Sequence, residues 1–518
     1  MGRVVALVVL GLVVAVPVQG RPADDLAKKL NEVIDGPDYE HASWGVLVVD
    51  AKTGATVFAR NPNAMLAPAS VTKLFSCAAA LVALGPDHRF ETAVFQRGPV
   101  IRGVLRGELV LVAAGDLMMG GRTTKDGRVV FRDKDHTYAN SGLMESELTD
   151  TDPLAALNEL ARQVKAAGID AVEGEVMIDD RIFNTTRGSG SGPDSAGPVI
   201  VNDNVIDVLI EPGAKPGDPA KVTARPESAA YHMDAVVGTG EAKSSPAIEM
   251  LSVGVNQFAV RGKVPAGGKK FVRIFPVDEP VTVARTLFVE ALRRNGVTAT
   301  AAVLRPNGGT LPSKESMAKL TKVAEYKSPP FHEAIKVTLK VSHNLYASTL
   351  PGLVASAKGH RTAEAGLREE RKILKELGVD VNAVSFGGGA GGANADCVSA
   401  RATVQLIQGM AKRKEWDAYK NGLPVLGVDG TLVDTVKAES PARGKAFAKT
   451  GTLIWFDNAN ERFLLKSKAL AGTMTTKGGA ELHFAMFVNN VPLPAGVNAT
   501  REGKVLGRLC EILHEHGP

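Results

Sequence analysis

Three short stretches of this 518-residue chain share a chemistry only if folding brings them together: Ser70-Val71-Thr72-Lys73, Ser342-His343-Asn344 and Lys449-Thr450-Gly451. An alcohol near neutral pH is a poor nucleophile, so a working serine needs an adjacent base and donors for the oxyanion formed on attack. In the first stretch serine and lysine stand one helical turn apart on the same face, so the Lys73 amine can reach the Ser70 oxygen. A lysine acts as a base only when its amine is partly neutral, which burial and a nearby cation both favour, and Lys449 can supply that cation. If Ser70 opens a helix, its own backbone N–H points at the developing oxyanion.

The surrounding pattern supports that placement. Trp44 to Phe58 reads as two strands around a Gly-containing turn, a β-hairpin. A second Lys-Thr-Gly, Lys52-Thr53-Gly54, falls on this turn and is read as the turn itself. Ser70 to Leu84 is Ala-rich and apolar without Pro or Gly, a buried helix opening at the serine. Hairpin, helix, long gap, second helical region and final strands suggest one domain, 21–95 plus 305–518, split by an insertion of one or two domains over 96–304, with a nested subdomain near 183–250. Inside the insertion, Glu108 to Ala114 and Val172 to Ile178 read as strands. Asp152-Pro153 reads as the start of a helix to about Ala167, and Leu287, Phe288, Ala291 and Leu292 as one face of a helix ending at Asn295-Gly296. Thr185 to Pro198, dense in Gly and Ser, reads as a surface excursion.

Arg3, the apolar run Val4 to Val16 and small residues near Gly20 fit a secretory signal peptide over 1–20 rather than a membrane anchor, because the run is too short to span a bilayer. The expected location is therefore outside the cytoplasm, in the periplasm or cell envelope. Cys77, Cys397 and Cys510 are too few and scattered for a disulfide scaffold or zinc site. A net charge of +5 without Lys/Arg blocks and interleaved aromatics gives no footprint for nucleic acid. No metal or nucleotide motif appears, so no cofactor is expected.

Ser316-Met317-Ala318-Lys319 also matches S-x-x-K, but it sits in a Lys-rich polar segment and reads as a solvated helix face. His343 is read as a bystander in the middle of its triplet. Asp116 and Asp179 read as turn carboxylates rather than a catalytic pair.

In this order the triplets resemble the S-x-x-K, S-x-N and K-T-G set of penicillin-binding proteins and class A β-lactamases. The blocks Leu66–Leu74, Val176–Phe183, Lys340–Ala347, Gly427–Leu432 and Ala448–Leu453 resemble, more closely, the class C low-molecular-mass penicillin-binding proteins, D-alanyl-D-alanine carboxypeptidases/endopeptidases of peptidase family S13. The resemblance implies an α/β (α+β) fold, with a β-lactamase/transpeptidase-like domain of antiparallel sheet and flanking helices interrupted between its first two motifs. It implies Ser70 as nucleophile, Lys73 as base, Ser342 as a proton relay bridging Lys73 and Lys449, and Asn344 as holder of the substrate amide. Lys449 and Thr450 of the Lys-Thr-Gly451 triplet would bind a substrate carboxylate, and Thr452 would supply the second oxyanion donor. Asp179 and Phe183 would lie near the pocket for the substrate's diamino acid side chain. The implied partners are peptidoglycan peptides ending in D-Ala-D-Ala, with β-lactams as covalent inhibitors.

One loop departs from the family. Its Asp-Gly-Ser-Gly-Leu-Ser falls on Gly388-Gly389-Ala390-Gly391-Gly392-Ala393, which keeps glycines but lacks the Asp and both Ser. Asn458 to Ala471 is also longer and more charged than the family's compact hairpin. The competing readings are a non-catalytic wall-binding module, motivated by that loop, and a serine β-lactamase or esterase on the same fold.

Overall fold

The computed structural model describes residues 22–140 and 145–518; the expected signal peptide lies outside the described residues. The chain is a mixed α/β protein built around a five-stranded antiparallel sheet. Its order is Thr56–Arg60, Ser43–Asp50, Glu481–Pro492, Arg462–Thr475, Ala446–Asp457. The N-terminal hairpin thus shares a sheet with the last three strands of the chain, and everything between them is carried as a loop on that sheet. Asp50 closes the hairpin turn by accepting hydrogen bonds from the Lys52 and Thr53 amides, which confirms Lys52-Thr53-Gly54 as a turn.

Ser43–Asp50 is apolar almost throughout because helices cover both faces of the sheet. Val46 and Val48 point to a core shared with the helices Pro22–Ile34 and Thr500–His516. Leu47 and Val49, on the alternate face, join the core under Thr72–Leu84, Phe331–Lys340 and Asn344–Ala357. The serine helix is central: Thr72 through Leu81 are all buried. Its first turn is a 3-10 segment, Ala69–Val71, so Ser70 sits half-exposed just before the regular helix.

The insertion has its own core, including Val94, Leu109, Leu157, Ile178, Phe258 and Phe288. The strands near its two ends, Glu91–Arg97 and Thr321–Lys327, belong to one sheet. Thr321–Lys327 pairs antiparallel with Glu91–Arg97, and the Ser328 and Phe331 amides donate to the Phe90 and His88 carbonyls where the chain returns. Two three-stranded sheets lie within Val205–Pro276.

Helices form at Pro280–Arg294 as the sequence predicts and at Ala155–Ala166, which starts two residues later than Asp152-Pro153 suggested. The expected strand Val172–Ile178 is instead two strands in different sheets, Ala171–Glu173 and Val176–Asp179. The break is at Gly174, where a Cβ would stand 2.2 Å from the Gly107 carbonyl oxygen, so only glycine lets the two chains cross there. Asn458 to Ala471 is mainly the return strand of a hairpin whose end exposes Trp455, Phe456 and Phe463. Among the described residues no helix is long and apolar enough to cross a membrane.

Candidate active site

Ala69, in the left-handed region at φ 46°, turns the chain sharply into Ser70. One helical turn on, the Lys73 amine lies 2.8 Å from Ser70 Oγ and donates to Asn344 Oδ1 at 2.7 Å and to the Ala390 carbonyl at 2.8 Å. Lys73 is completely buried, and that loss of hydration holds its amine down at about 7 despite the opposing influence of Cys77 and Asp396. It is therefore substantially neutral at physiological pH, as a base must be.

Lys449 comes from the strand Ala446–Asp457 and is equally buried; its amine donates to Ser342 Oγ at 2.9 Å and to the Thr450 carbonyl at 2.7 Å. Burial and then the neighbouring Lys73 charge push this amine well below its ordinary value. Gly451 is the point of closest approach between that strand and the serine turn. A Cβ there would lie 2.5 Å from the Pro68 carbonyl oxygen and 3.2 Å from Ala69 Cβ. Thr450 Oγ1 donates to Thr431 Oγ1 at 2.7 Å, and Thr452 Oγ1 accepts from Lys468 Nζ at 2.8 Å.

Ser342 is itself left-handed, at φ 63°. Its hydroxyl meets Lys449 but makes no hydrogen bond to Lys73, whose second partner is Asn344 instead; of the two contacts expected of a bridge, the structure holds one. The Ser342 carbonyl accepts from the Tyr138 hydroxyl at 2.5 Å. Next to it, His343 caps the helix Asn344–Ala357: its Nδ1 accepts from the Tyr346 amide at 3.3 Å, which leaves the proton on Nε2, facing Asp203 Oδ1 at 3.4 Å. His343 is a buried fastener: one ring nitrogen caps its own helix and the other faces the insertion's Asp203.

That fastener belongs to a buried charge network the sequence did not disclose. Arg122 makes a bidentate pair with Asp135 at 2.7 and 3.0 Å and reaches Asp203 at 2.7 Å. His136 lies 2.5 Å from Asp207 and 2.8 Å from Asp203, and the Tyr346 hydroxyl donates to Asp203. Burial alone would push His136 down, but the Asp207 charge and the hydrogen bonds with Asp203 and Asp207 carry it up to about 10. Asp203 can present its carboxylate here because Asn202-Asp203-Asn204 are all left-handed, a conformation that short Asx side chains tolerate.

The glycine-rich Gly388–Ala393 segment packs directly on the site. Besides Ala390 on Lys73, the Gly389 carbonyl accepts from Ser76 Oγ at 2.9 Å. Cβ atoms at Gly389 and Gly391 would stand 2.0 Å from the Ala347 and 1.9 Å from the Ala69 carbonyl oxygens.

Thr185–Pro198 also reaches the site. It lies at the surface as expected, but as a small hairpin that rests on Asn344 and Ser348. Asn344 Nδ2 donates to the Ser191 carbonyl at 3.0 Å, and the Ser189 amide to Ser348 Oγ at 3.2 Å. Asp179 pairs with Arg181 at 2.7 Å and accepts from its amide, and Phe183 is 2% exposed, packed against Gly352 and Gly115 in the core. Asp179 makes no hydrogen bond to the triplet side chains, and Phe183 shares its core with Val71 of the first triplet. The Asp116 carboxylate takes the Met118 amide, a turn role, and Ser316 lies in a short exposed helix.

Residues 26–507 match the family model of the D-Ala-D-Ala carboxypeptidase 3 (S13) family. The chain belongs to that family. Its members' chemistry is that of serine peptidases, so the expected enzyme class, a serine-type D-Ala-D-Ala carboxypeptidase, holds. The S13 chain is 30% identical over 458 residues to a D-alanyl-D-alanine carboxypeptidase of Actinomadura sp. (strain R39), covering 84% of this chain and 77% of the relative. It is 23% identical over 466 residues to the carboxypeptidase DacB of Haemophilus influenzae, covering 87% and 86%. The crystal structure of penicillin binding protein 4 from H. influenzae superposes with a TM-score of 0.68 at 20% identity, covering 95% of this chain and 97% of that one. The expected α/β transpeptidase-like fold is thereby established for this member.

Proposed function

We infer that this S13 enzyme is exported and hydrolyses peptidoglycan stem peptides ending in D-Ala-D-Ala through an acyl-Ser70 intermediate. The observation that carries the reading is the buried, neutral-leaning Lys73 amine 2.8 Å from a half-exposed Ser70 hydroxyl.

Ser70 Oγ attacks the carbonyl carbon of the D-Ala–D-Ala bond while its proton passes to Lys73. The backbone N–H groups of Ser70 and Thr452 take the oxyanion. The bond to the leaving amine breaks as a proton reaches that nitrogen by way of Ser342, whose hydroxyl Lys449 orients, and D-alanine departs. Water then attacks the acyl-serine with Lys73 again as base, releasing the shortened peptide and restoring the Ser70 hydroxyl. Lys449 and Thr450 hold the terminal carboxylate, whose charge on arrival stabilises the Lys449 ammonium. Asn344 holds the substrate amide once its side-chain amide leaves the Ser191 carbonyl. An apolar N-terminal run of signal-peptide form and the cell-wall substrate class support export to the periplasm or envelope.

A fluorescent penicillin offered to wild type and Ser70→Ala tests this. Stable label on wild type alone, with D-alanine released from a D-Ala-D-Ala peptide, is expected. Unlabelled wild type without drug hydrolysis would sink the reading in favour of a non-catalytic wall-binding protein, and rapid turnover of a chromogenic cephalosporin would favour a β-lactamase.

A further inference from the structure

The loop that departs from its family is held by a carboxylate just beyond it. Asp396, only 3% exposed, accepts from the Gly387 amide through Oδ1 at 2.8 Å and from the Ala393 amide through Oδ2 at 2.9 Å. The two amides bracket the turn. At its middle, the Ala390 carbonyl accepts from Lys73 Nζ, and beside it the Gly389 carbonyl accepts from Ser76 Oγ.

A neutral amine has two hydrogens and one lone pair, and Lys73 has three partners. Asn344 Oδ1 and the Ala390 carbonyl can only accept, so they take the two hydrogens; the remaining direction faces the Ser70 hydroxyl, which can donate. If the Ala390 carbonyl moves away, the amine can rotate and turn a hydrogen toward Ser70 in place of the lone pair. We propose that Asp396 is a positioning residue for the base: by gripping both ends of the Gly387–Ala393 turn, it keeps the Ala390 carbonyl on Lys73 and so aims the amine's lone pair at Ser70. It does the work of the side chains missing from the loop, from outside the loop. This rests on the reading of Ser70 and Lys73 as nucleophile and base.

The charged and titratable groups around Lys73 are Cys77 on its own helix, Lys449 on the neighbouring strand and Asp396 on the loop, with Glu370 behind Asp396. Burial pushes Glu370 up to about 8, with Asp396 adding to it, so Glu370 is mostly protonated near neutrality; burial also raises the Asp396 carboxyl above its ordinary value, while the Gly387 and Ala393 amides and the Lys73 charge favour its ionised form.

The test is the acylation rate with a fluorescent penicillin across pH, for wild type, Asp396→Asn and Ser76→Ala, each checked by thermal melting. Asp396→Asn keeps the shape but turns an amide NH2 toward a backbone N–H, releasing one end of the turn. The acylation rate constant is expected to fall at least about tenfold with drug affinity within about twofold, since a misaimed base costs rate and not binding. The midpoint of the acid limb should also move to lower pH, because an anion favouring protonated Lys73 has gone; a purely structural defect would leave that midpoint alone. Ser76→Ala loosens the same turn without removing charge and should slow acylation about threefold or more at an unchanged midpoint. A folded Asp396→Asn with wild-type rate and midpoint overturns the proposal. If Asp396→Asn does not fold, Ser76→Ala decides: slowed acylation supports the proposal and an unchanged rate overturns it. A wild type that takes no label overturns the Ser70 reading itself and this proposal with it.

Discussion

Tyr138, a residue of the insertion, donates its hydroxyl to the backbone carbonyl of Ser342 at 2.5 Å, and Ser342 is held in a left-handed conformation that a residue with a Cβ adopts reluctantly. The bond crosses from the inserted unit to the second motif. Tyr138→Phe removes the donor and little else, and should lower penicillin acylation several-fold. The cost in stability should be about 1 kcal/mol, read from denaturant unfolding. Unchanged acylation would mean that the Ser342 turn holds itself.

Acylation should follow the neutral fraction of Lys73. Burial depresses this amine to about 7, so the rate should rise as pH climbs through about 7 and flatten above it. A rate constant flat between pH 5.5 and 8.5 would show that the proton goes elsewhere.

The insertion's charge network should make stability fall in alkali. The folded His136 value of about 10 lies above the ordinary 6.5. The folded state therefore binds the extra proton, and the contribution is complete below about 6.5 and lost as pH rises through about 10. Melting temperature should decline over that window, and a His136→Gln variant should show a shallower decline.

Arg122→Ala leaves Asp135 and Asp203 buried without their shared cation. Unpairing buried charges of this kind costs about 3–5 kcal/mol, which should appear as a large drop in unfolding free energy or as loss of soluble protein. A near-neutral result would mean that water enters the network.

Gly451→Ala should separate the third motif from the serine. Its methyl would press on the Pro68 carbonyl and the Ala69 side chain, pushing the strand off the turn that carries Ser70. Acylation should fall more than about tenfold while the melting temperature changes little, because the strand lies at the sheet's edge.

The serine helix, the hairpin decoy at Lys52-Thr53-Gly54 and the three triplets were legible because each is encoded within a few neighbouring residues. Helical spacing alone brings Lys73 to Ser70. What joins distant segments was not legible. Tyr138 and Asp203 bond to partners far away in the chain, and Asp396 grips a nearby turn whose Ala390 carbonyl meets the distant Lys73; nothing local distinguishes the three from other polar residues. The pairing of Thr321–Lys327 with Glu91–Arg97 is faint in the sequence because Thr321–Lys327 is an edge strand with only Ala324 buried, so its alternation is nearly invisible. Thr185–Pro198 reads as a surface loop through the same glycines and serines that let it lie close against Asn344.

One edge of Ser43–Asp50 is paired by its hairpin partner Thr56–Arg60, and the other only by Glu481–Pro492, near the far end of the chain. During synthesis from the N-terminus, the hairpin must wait with one edge unpaired while the insertion, with a core of its own, is free to fold. The serine pocket is closed by the strand Ala446–Asp457, which arrives among the last segments. Such long-range closure makes for slow folding, and it also means that a nascent or truncated chain lacking the final strands carries Ser70 and Lys73 without a nucleophile's pocket. The enzyme comes into being only when its two ends meet.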